Sequence, residues 1–173
     1  MRSDDRGEDG WRAWLAARGP ALLLYARHWC PSRADAEDAV QNGFVRFWRT
    51  RSRSPVRDDA AYLFACVRTA ALDLSRAGRR RKRHEGNVSV SAGASIFQHD
   101  DEAGRDDWRE AIEAAMKKLP AEQREVLVLK IWGGLTFAQI GESLAIPANT
   151  AGSRYRYALE RLEAALAKAV ARD

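Results

Sequence analysis

Apolar residues recur at every third or fourth position through most of the chain, which is the spacing of amphipathic helices. The first clear apolar face consists of Leu22, Tyr25, Ala26 and Trp29. Proline has no backbone N–H and interrupts helix interiors, so we expect Pro20 to separate a short leading helix from the main one. The same spacing in the later segments predicts an all-α protein.

A second helix is predicted over residues 33–51, with Ser32 as its N-cap. Its inward side consists of Ala36, Val40, Gly43, Phe44 and Phe47. The first turns carry Asp35, Glu37 and Asp38. One explanation of these acidic residues is that they favour the positive end of the helix dipole.

A third helix is predicted from about residue 58 to residue 76. The side of this helix that faces away from the core forms one exposed face. At helical offsets from Tyr62, this face carries Thr69, Asp73 and Arg76. An aromatic ring beside hydrogen-bonding groups and a cation can stack an unpaired base and hold its phosphate. An ordinary solvated helix face is the alternative. The basic run RRRKR follows at residues 79–83, and it suits phosphate contacts or a solvated tail.

Residues 84–105 are rich in Gly, Ser, Ala, Asn and Asp and have few apolar positions. Such a composition cannot build a core and predicts a flexible linker. The helical pattern resumes at residue 106. We therefore expect two small helical domains, over residues 11–83 and 106–170, joined by a flexible linker over residues 84–105.

The C-terminal half contains the signals of a helix-turn-helix. Pro120 suits the first turn of a helix, and Gly133 and Gly134 end that helix. Thr136 and Gln139 have the spacing of a capping box at the start of a second helix. This second helix is short and amphipathic, and a Pro-containing turn over residues 145–147 leads into a third.

The last helix has an apolar stripe that must pack inward, formed by Ala151, Tyr155, Ala158, Leu162 and Leu166. The outward side carries Asn149, Thr150, Ser153, Arg154, Arg156, Tyr157 and Arg161. These side chains offer hydrogen bonds to base edges and charge to phosphates, as a DNA recognition helix does. Two helices of an ordinary bundle would give a similar periodicity.

Charge and composition add little to this picture. The net charge of +5 and a pI near 9.6 suit a polyanionic partner, although many unrelated proteins share such an excess. No run of apolar residues is long enough to span a membrane, and we expect a cytoplasmic protein. Cys30 and Cys66 lie in apolar helical patterns without ligand spacing, which predicts buried thiols. We find no catalytic constellation and expect neither an enzyme nor a bound cofactor.

Three stretches resemble bacterial RNA polymerase sigma factors of the sigma-70 family. DAEDAVQNGFVRFW, in the second predicted helix, is similar to the segment that binds the clamp helices of the polymerase. YLFACVRTAALDLSRAGRRR resembles the promoter-melting helix. LP-x-EQR-x-V-L, with G-L-T and I-G-x-x-L-x-I-P-x-x-T, resembles the C-terminal promoter-reading domain. Their order resembles the extracytoplasmic-function group, over about residues 15–80 and 108–168.

The resemblance implies three sets of functional residues. The residues implied to bind core polymerase are Asp35, Glu37, Asp38, Gln41 and Asn42. Those implied to bind and melt the downstream promoter element are Tyr62, Arg68, Thr69, Asp73, Arg76, Arg79 and Arg80. Those implied to bind the upstream element are Asn149, Thr150, Ser153, Arg154, Arg156, Tyr157 and Arg161.

The sequence departs from the family pattern at a few of these positions. Asn42 stands where an acid is usual, and Gly43 follows it, so we expect a reshaped contact with the polymerase. Tyr62 replaces a usual Trp and Thr69 a usual Asn, so we expect the preferred bases to differ.

By this resemblance the chain is an alternative sigma factor whose partners are core RNA polymerase, promoter DNA in duplex and single-stranded form, and an anti-sigma factor if one masks it. The other hypothesis is a helix-turn-helix regulator that binds palindromic duplex DNA without the polymerase.

Overall fold

The computed structural model describes residues 8–84 and 106–170, and all regular secondary structure in these ranges is α-helical. The helices are α1 (Glu8–Arg27), α2 (Arg33–Arg51), α3 (Asp59–His84), α4 (Asp106–Lys118), α5 (Ala121–Ile131), α6 (Phe137–Leu144) and α7 (Ala148–Val170). The chain divides into two compact units, residues 1–94 and 95–173. The all-α prediction is confirmed. The predicted linker, apart from His84, lies outside the described residues.

In the first unit α2 packs along α3, and α1 packs against both. The core includes Leu22 and Tyr25 of α1, Phe47 of α2, and Leu63 and Phe64 of α3, all of them fully buried. The rings of Tyr25 and Phe64 meet edge to face at 5.5 Å between centroids, the geometry that aromatic pairs prefer.

The predicted break at Pro20 is wrong, because α1 continues through it. Proline removes the hydrogen bond that the Ala16 carbonyl would accept, at a cost of about 3 kcal/mol. Packing on both sides of Pro20 offsets this cost. Trp14 stacks against Phe47 with centroids 6.3 Å apart, and Leu22 is fully buried beyond the proline.

α2 has the predicted bounds and the predicted N-cap. The Ser32 hydroxyl oxygen accepts a hydrogen bond from the Asp35 backbone N–H at 3.1 Å. α3 instead runs eight residues past its predicted end at Arg76, to His84. Arginine and lysine are good helix formers, so the basic run continues the helix and does not end it.

Gly43 lies at a close approach of α2 to α3. A Cβ atom at this position would lie 2.5 Å from Val67 Cγ2 and 2.8 Å from Val67 Cα. Gly43 is buried against α3, and its role here is packing inside the protein. Packing against α3 is therefore sufficient to explain why glycine stands at position 43, without the effect on the polymerase contact that the sequence suggested.

We expect Gly43→Ala to lower the free energy of unfolding by about 1–3 kcal/mol, because the added methyl group overpacks the α2–α3 contact. Gly78→Ala is the matched control. Gly78 also lies in a helix but has open space around it, so alanine should raise stability there by about 0.5–1 kcal/mol. Denaturant unfolding followed by circular dichroism measures both changes, and a stabilised Gly43→Ala protein would contradict the close approach.

In the second unit α7 packs against α4, α5 and α6. Its Ala151 and Ala158 are fully buried, as predicted, together with Leu127 of α5 and Ile140 of α6. Pro120 is the N-cap of α5, one residue before the helix begins, and not its first helical residue. α5 ends at Ile131, just before the two glycines predicted to stop it.

Candidate nucleic-acid and protein interfaces

Local hydrogen bonds fix the helix-turn-helix formed by α6 and α7. The Gln139 backbone N–H donates to Thr136 Oγ1 at 3.2 Å, and the Thr136 backbone N–H donates to Gln139 Oε1 at 2.8 Å. This is the predicted capping box. Ala145 ends α6 in the left-handed conformation, with φ 55°. The turn then brings the Ile146 carbonyl so close to Gly141 that a Cβ there would lie 2.6 Å from it.

α7 presents an outward side that carries the predicted base-reading residues. Asn149, Arg156, Tyr157 and Arg161 are exposed, and Thr150 and Ser153 are half-buried. The Ser153 hydroxyl donates to the Thr150 carbonyl at 3.0 Å. Arg156 lies 4.0 Å from the Glu160 carboxylate, with its guanidinium 5.3 Å from the Tyr157 ring centroid. Because this ion pair is long and exposed, it holds Arg156 weakly.

Arg154, another arginine predicted on the outward side of this helix, is tied to α5. One of its guanidinium nitrogens lies 2.6 Å from a carboxylate oxygen of Glu122, and the Arg154 side chain is only 26% exposed. Arg154 therefore joins two helices of the second unit, in addition to any contact it makes with DNA. The sequence pattern placed it simply on the outward side.

The exposed face predicted on the third helix is here called the α3 face, and consists of Tyr62, Thr69, Asp73 and Arg76. Thr69, Asp73 and Arg76 are exposed, and Tyr62 is half-buried. The Tyr62 hydroxyl donates to Thr50 Oγ1 at 3.0 Å, and its ring lies 6.1 Å from the Phe47 ring. Tyr62 is therefore a fixed ring against α2, not the fully exposed ring that helical spacing predicted.

An ion-paired cluster joins the α3 face to α2. Arg46 Nη2 donates to Asp73 Oδ2 at 2.8 Å, and Arg76 Nη1 lies 3.7 Å from Asp73 Oδ1. Arg46 was not among the residues predicted from the sequence, because the pair spans 27 positions and only the folded α2–α3 contact brings it together.

Four further arginines of α3 lie along its C-terminal half, and Arg68 lies in its N-terminal half. Arg79, Arg80, Arg81 and Arg83 are exposed, and Arg79 Nε donates to the Ser75 carbonyl at 3.4 Å. Arg68 is half-buried, with its guanidinium 5.4 Å from the Trp29 ring centroid. The basic run is thus helical within the described residues, and Arg68 packs against Trp29, two residues after the end of α1.

The outward side of α2 carries the residues predicted to bind polymerase. Glu37, Asp38, Gln41 and Asn42 are exposed, while Asp35 is half-buried and accepts a hydrogen bond from the Ser32 hydroxyl at 2.6 Å. Glu37 pairs with Arg33 at 2.9 Å. Two apolar side chains beside them were missed, Val45 at 55% and Trp48 at 39% exposure. The sequence did contain a signal for Val45. It lies one helical turn after Gln41 and so on the same outward face, where an apolar residue indicates a binding surface.

Both cysteines are free and buried, as predicted. Burial, with the nearby charges of Asp35 and Asp38, raises the pKa of Cys30 to about 12. Burial also raises the pKa of Cys66. Within residues 8–84 and 106–170 no group of three His, Cys, Asp or Glu side chains could hold a metal ion. No helix in the same ranges has the length and apolar character required to cross a membrane.

Comparisons with known proteins agree with one another. Residues 14–81 match the family model of sigma-70 region 2, and residues 109–162 match that of sigma-70 region 4. The ECF RNA polymerase sigma factor SigL of Mycobacterium tuberculosis is 31% identical over 160 residues, covering 90% of this chain and 88% of SigL. The ECF RNA polymerase sigma factor SigK of Mycobacterium ulcerans is 29% identical over 132 residues, covering 73% of this chain and 70% of SigK.

Two solved structures are similar in fold. The sigma factor RpoE of Bartonella quintana, in complex with the anti-sigma factor NepR, matches with a TM-score of 0.69 and 24% identity, covering 90% of this chain and 96% of RpoE. CnrH, in complex with the cytosolic domain of CnrY, matches with a TM-score of 0.63 and 24% identity, covering 94% of this chain and 90% of CnrH.

Proposed function

The chain belongs to the sigma-70 family of bacterial RNA polymerase sigma factors, in its extracytoplasmic-function group, and from this premise we propose that it is an alternative sigma factor. It binds core RNA polymerase, recognises two promoter elements and initiates transcription. The observation that carries this function is the presence, in one chain and in order, of a region 2 unit and a region 4 helix-turn-helix unit. A duplex-binding regulator would need only the second.

The two units divide the work between them. The outward side of α2 binds the polymerase, through Asp38 and its polar neighbours and through the exposed Val45 and Trp48. The α3 face and the basic run after it bind and melt the downstream element. The outward side of α7 binds the upstream element, where Arg156 is exposed in the N-terminal half of the helix. Arginine in this setting donates two hydrogen bonds to one guanine.

The protein acts in the cytoplasm as a non-enzymatic subunit of the polymerase. The similar RpoE and CnrH structures each contain a second protein, NepR and the cytosolic domain of CnrY. By analogy, an anti-sigma factor holds this protein inactive until a signal releases it.

Transcription by purified core polymerase tests the proposed function. Core polymerase alone and core polymerase with the protein are incubated with a library of genomic fragments, and the 5′ ends of the transcripts are sequenced. We expect a set of start sites that depends on the protein and shares two upstream sequence elements. Binding to palindromic duplex DNA in the absence of polymerase, with no new start sites, would instead support the regulator.

Base reading by α7 is tested by comparing Arg156→Ala with Arg161→Ala in the assembled holoenzyme. Arg156→Ala should weaken binding to the preferred upstream element by about 1–3 kcal/mol and relax the preference at one base pair. Arg161→Ala should weaken binding to all sequences alike, because phosphate contacts carry no sequence information. Affinities for promoters that differ at single upstream positions measure both effects. Equal losses on every promoter for both variants would exclude base reading by Arg156.

A further inference from the structure

Asp73 lies at the centre of the α3 face, and each of its carboxylate oxygens faces an arginine. One oxygen accepts a hydrogen bond from Arg46 at 2.8 Å, and the other lies 3.7 Å from Arg76. A carboxylate that reads a base must accept a hydrogen bond from an exocyclic amine, such as that of cytosine. In this structure the Asp73 carboxylate instead accepts a hydrogen bond from Arg46 and lies beside Arg76.

The ion pair with Arg46 contributes little to the stability of the fold. Both side chains are nearly half exposed, Arg46 at 43% and Asp73 at 48%, so solvent screens their attraction. The larger effect of this ion pair is on the position of the Arg46 side chain. The pair draws the Arg46 guanidinium from α2 across to the α3 face and places it beside the same carboxylate as Arg76.

Two guanidinium groups beside one carboxylate offer donors to a phosphate group. Each guanidinium has five N–H donors in a planar fork, and the contacts with Asp73 leave most of them available. The three side chains together carry one net positive charge. Arginine forks match the oxygens of a phosphate group in geometry as well as charge.

We propose that Arg46 belongs to the promoter-binding surface, and that Asp73 is a positioning residue that holds Arg46 and Arg76 to bind backbone phosphates of the downstream promoter element. Asp73 does not itself read a base. This inference rests on the proposed sigma function and adds to it a residue of α2, the helix otherwise assigned to the polymerase.

The test uses preformed holoenzyme and a promoter fragment whose downstream element is already unpaired, and it measures affinity over a range of salt concentrations. Arg46→Gln should weaken binding about tenfold and reduce the slope of log affinity against log salt by about 0.7, the value for one phosphate contact on a single strand. Arg49→Gln is the matched control. Arg49 is an exposed arginine of the same helix, and its loss should leave the slope unchanged.

Asp73→Asn separates the possible roles of Asp73 by the direction of the change. For a positioning residue, binding weakens on every sequence although the protein gains one positive charge, and Asp73→Glu restores part of the affinity. Tighter binding would show that Asp73 only neutralises the arginines, and a loss confined to one base would show that it reads that base. Either result would overturn the proposal.

Two further measurements distinguish a failure of this inference from a failure of the proposed sigma-factor function. The thermal unfolding midpoint and the affinity for core polymerase should be the same for Arg46→Gln, Asp73→Asn and the unmodified protein. If a variant lost thermal stability or polymerase affinity to the same extent as it lost DNA binding, the cluster would have only a structural role. If the unmodified protein forms no transcribing holoenzyme, the proposed function fails; if it does and the variants bind DNA as it does, only this inference fails.

Discussion

Replacing Asp38 with arginine is expected to abolish binding of the protein to core RNA polymerase while leaving its fold intact. Asp38 is exposed on the outward side of α2, away from the buried Ala36 and Phe47. The substitution removes a hydrogen-bond acceptor and reverses the charge at the centre of the proposed polymerase-binding surface. Loss of a charged contact at the centre of an interface costs about 2–5 kcal/mol. Competition with labelled unmodified protein for core polymerase measures the loss.

Glu163→Arg is the control for this prediction, because it makes the same change of charge at an exposed position of α7. It should compete for core polymerase as well as the unmodified protein does. A Val45→Asp variant should lose affinity together with Asp38→Arg, since Val45 lies exposed on the same side of α2. Normal competition by Asp38→Arg would place the polymerase-binding surface elsewhere on the protein.

Promoter opening is expected to fall sharply in Tyr62→Ala, while binding to the closed promoter is largely retained. Unstacking a base costs a few kcal/mol, and stacking on an aromatic ring returns about 1–3 kcal/mol. The hydrogen bond to Thr50 and the contact with Phe47 hold the Tyr62 ring in place before DNA arrives. Permanganate reactivity of unpaired thymines measures opening, and gel mobility at low temperature measures the closed complex.

Tyr62→Phe is the control, because it keeps the ring and its packing on Phe47 and removes only the hydroxyl, with its hydrogen bond to Thr50. It should open promoters nearly as well as the unmodified protein. Neutralising the basic run at residues 79–83 should instead weaken closed and open complexes together and flatten their salt dependence. A permanganate footprint unchanged in Tyr62→Ala would leave α3 as a scaffold for other DNA contacts.

Local signals in the sequence were sufficient for most of the helices. Ser32 and the 3.6-residue period defined α2, and Thr136 with Gln139 defined the start of α6, because caps act over three or four residues of the chain. The outward positions of Asn149 and Arg156 follow from the inward stripe of α7. Such features depend on neighbours in sequence, so they can be predicted without the fold.

The remaining features depend on contacts between helices. α1 continues through Pro20 because Trp14 and Leu22 are held against other helices. Arg154 pairs with Glu122, 32 positions earlier in the chain, and no local pattern indicates this pair. In the same way, helical spacing placed Tyr62 on an exposed face, but packing against α2 leaves it only partly exposed.

The protonated state of the two buried thiols allows selective labelling of this protein. Only the thiolate reacts readily with maleimides or oxidants, and with a pKa of about 12 Cys30 is almost wholly a thiol at neutral pH. A cysteine introduced at an exposed helical position, such as Ala34→Cys or Ala164→Cys, would therefore react first. Fluorescent probes could then report on the assembly of the transcription complex without removal of either native cysteine.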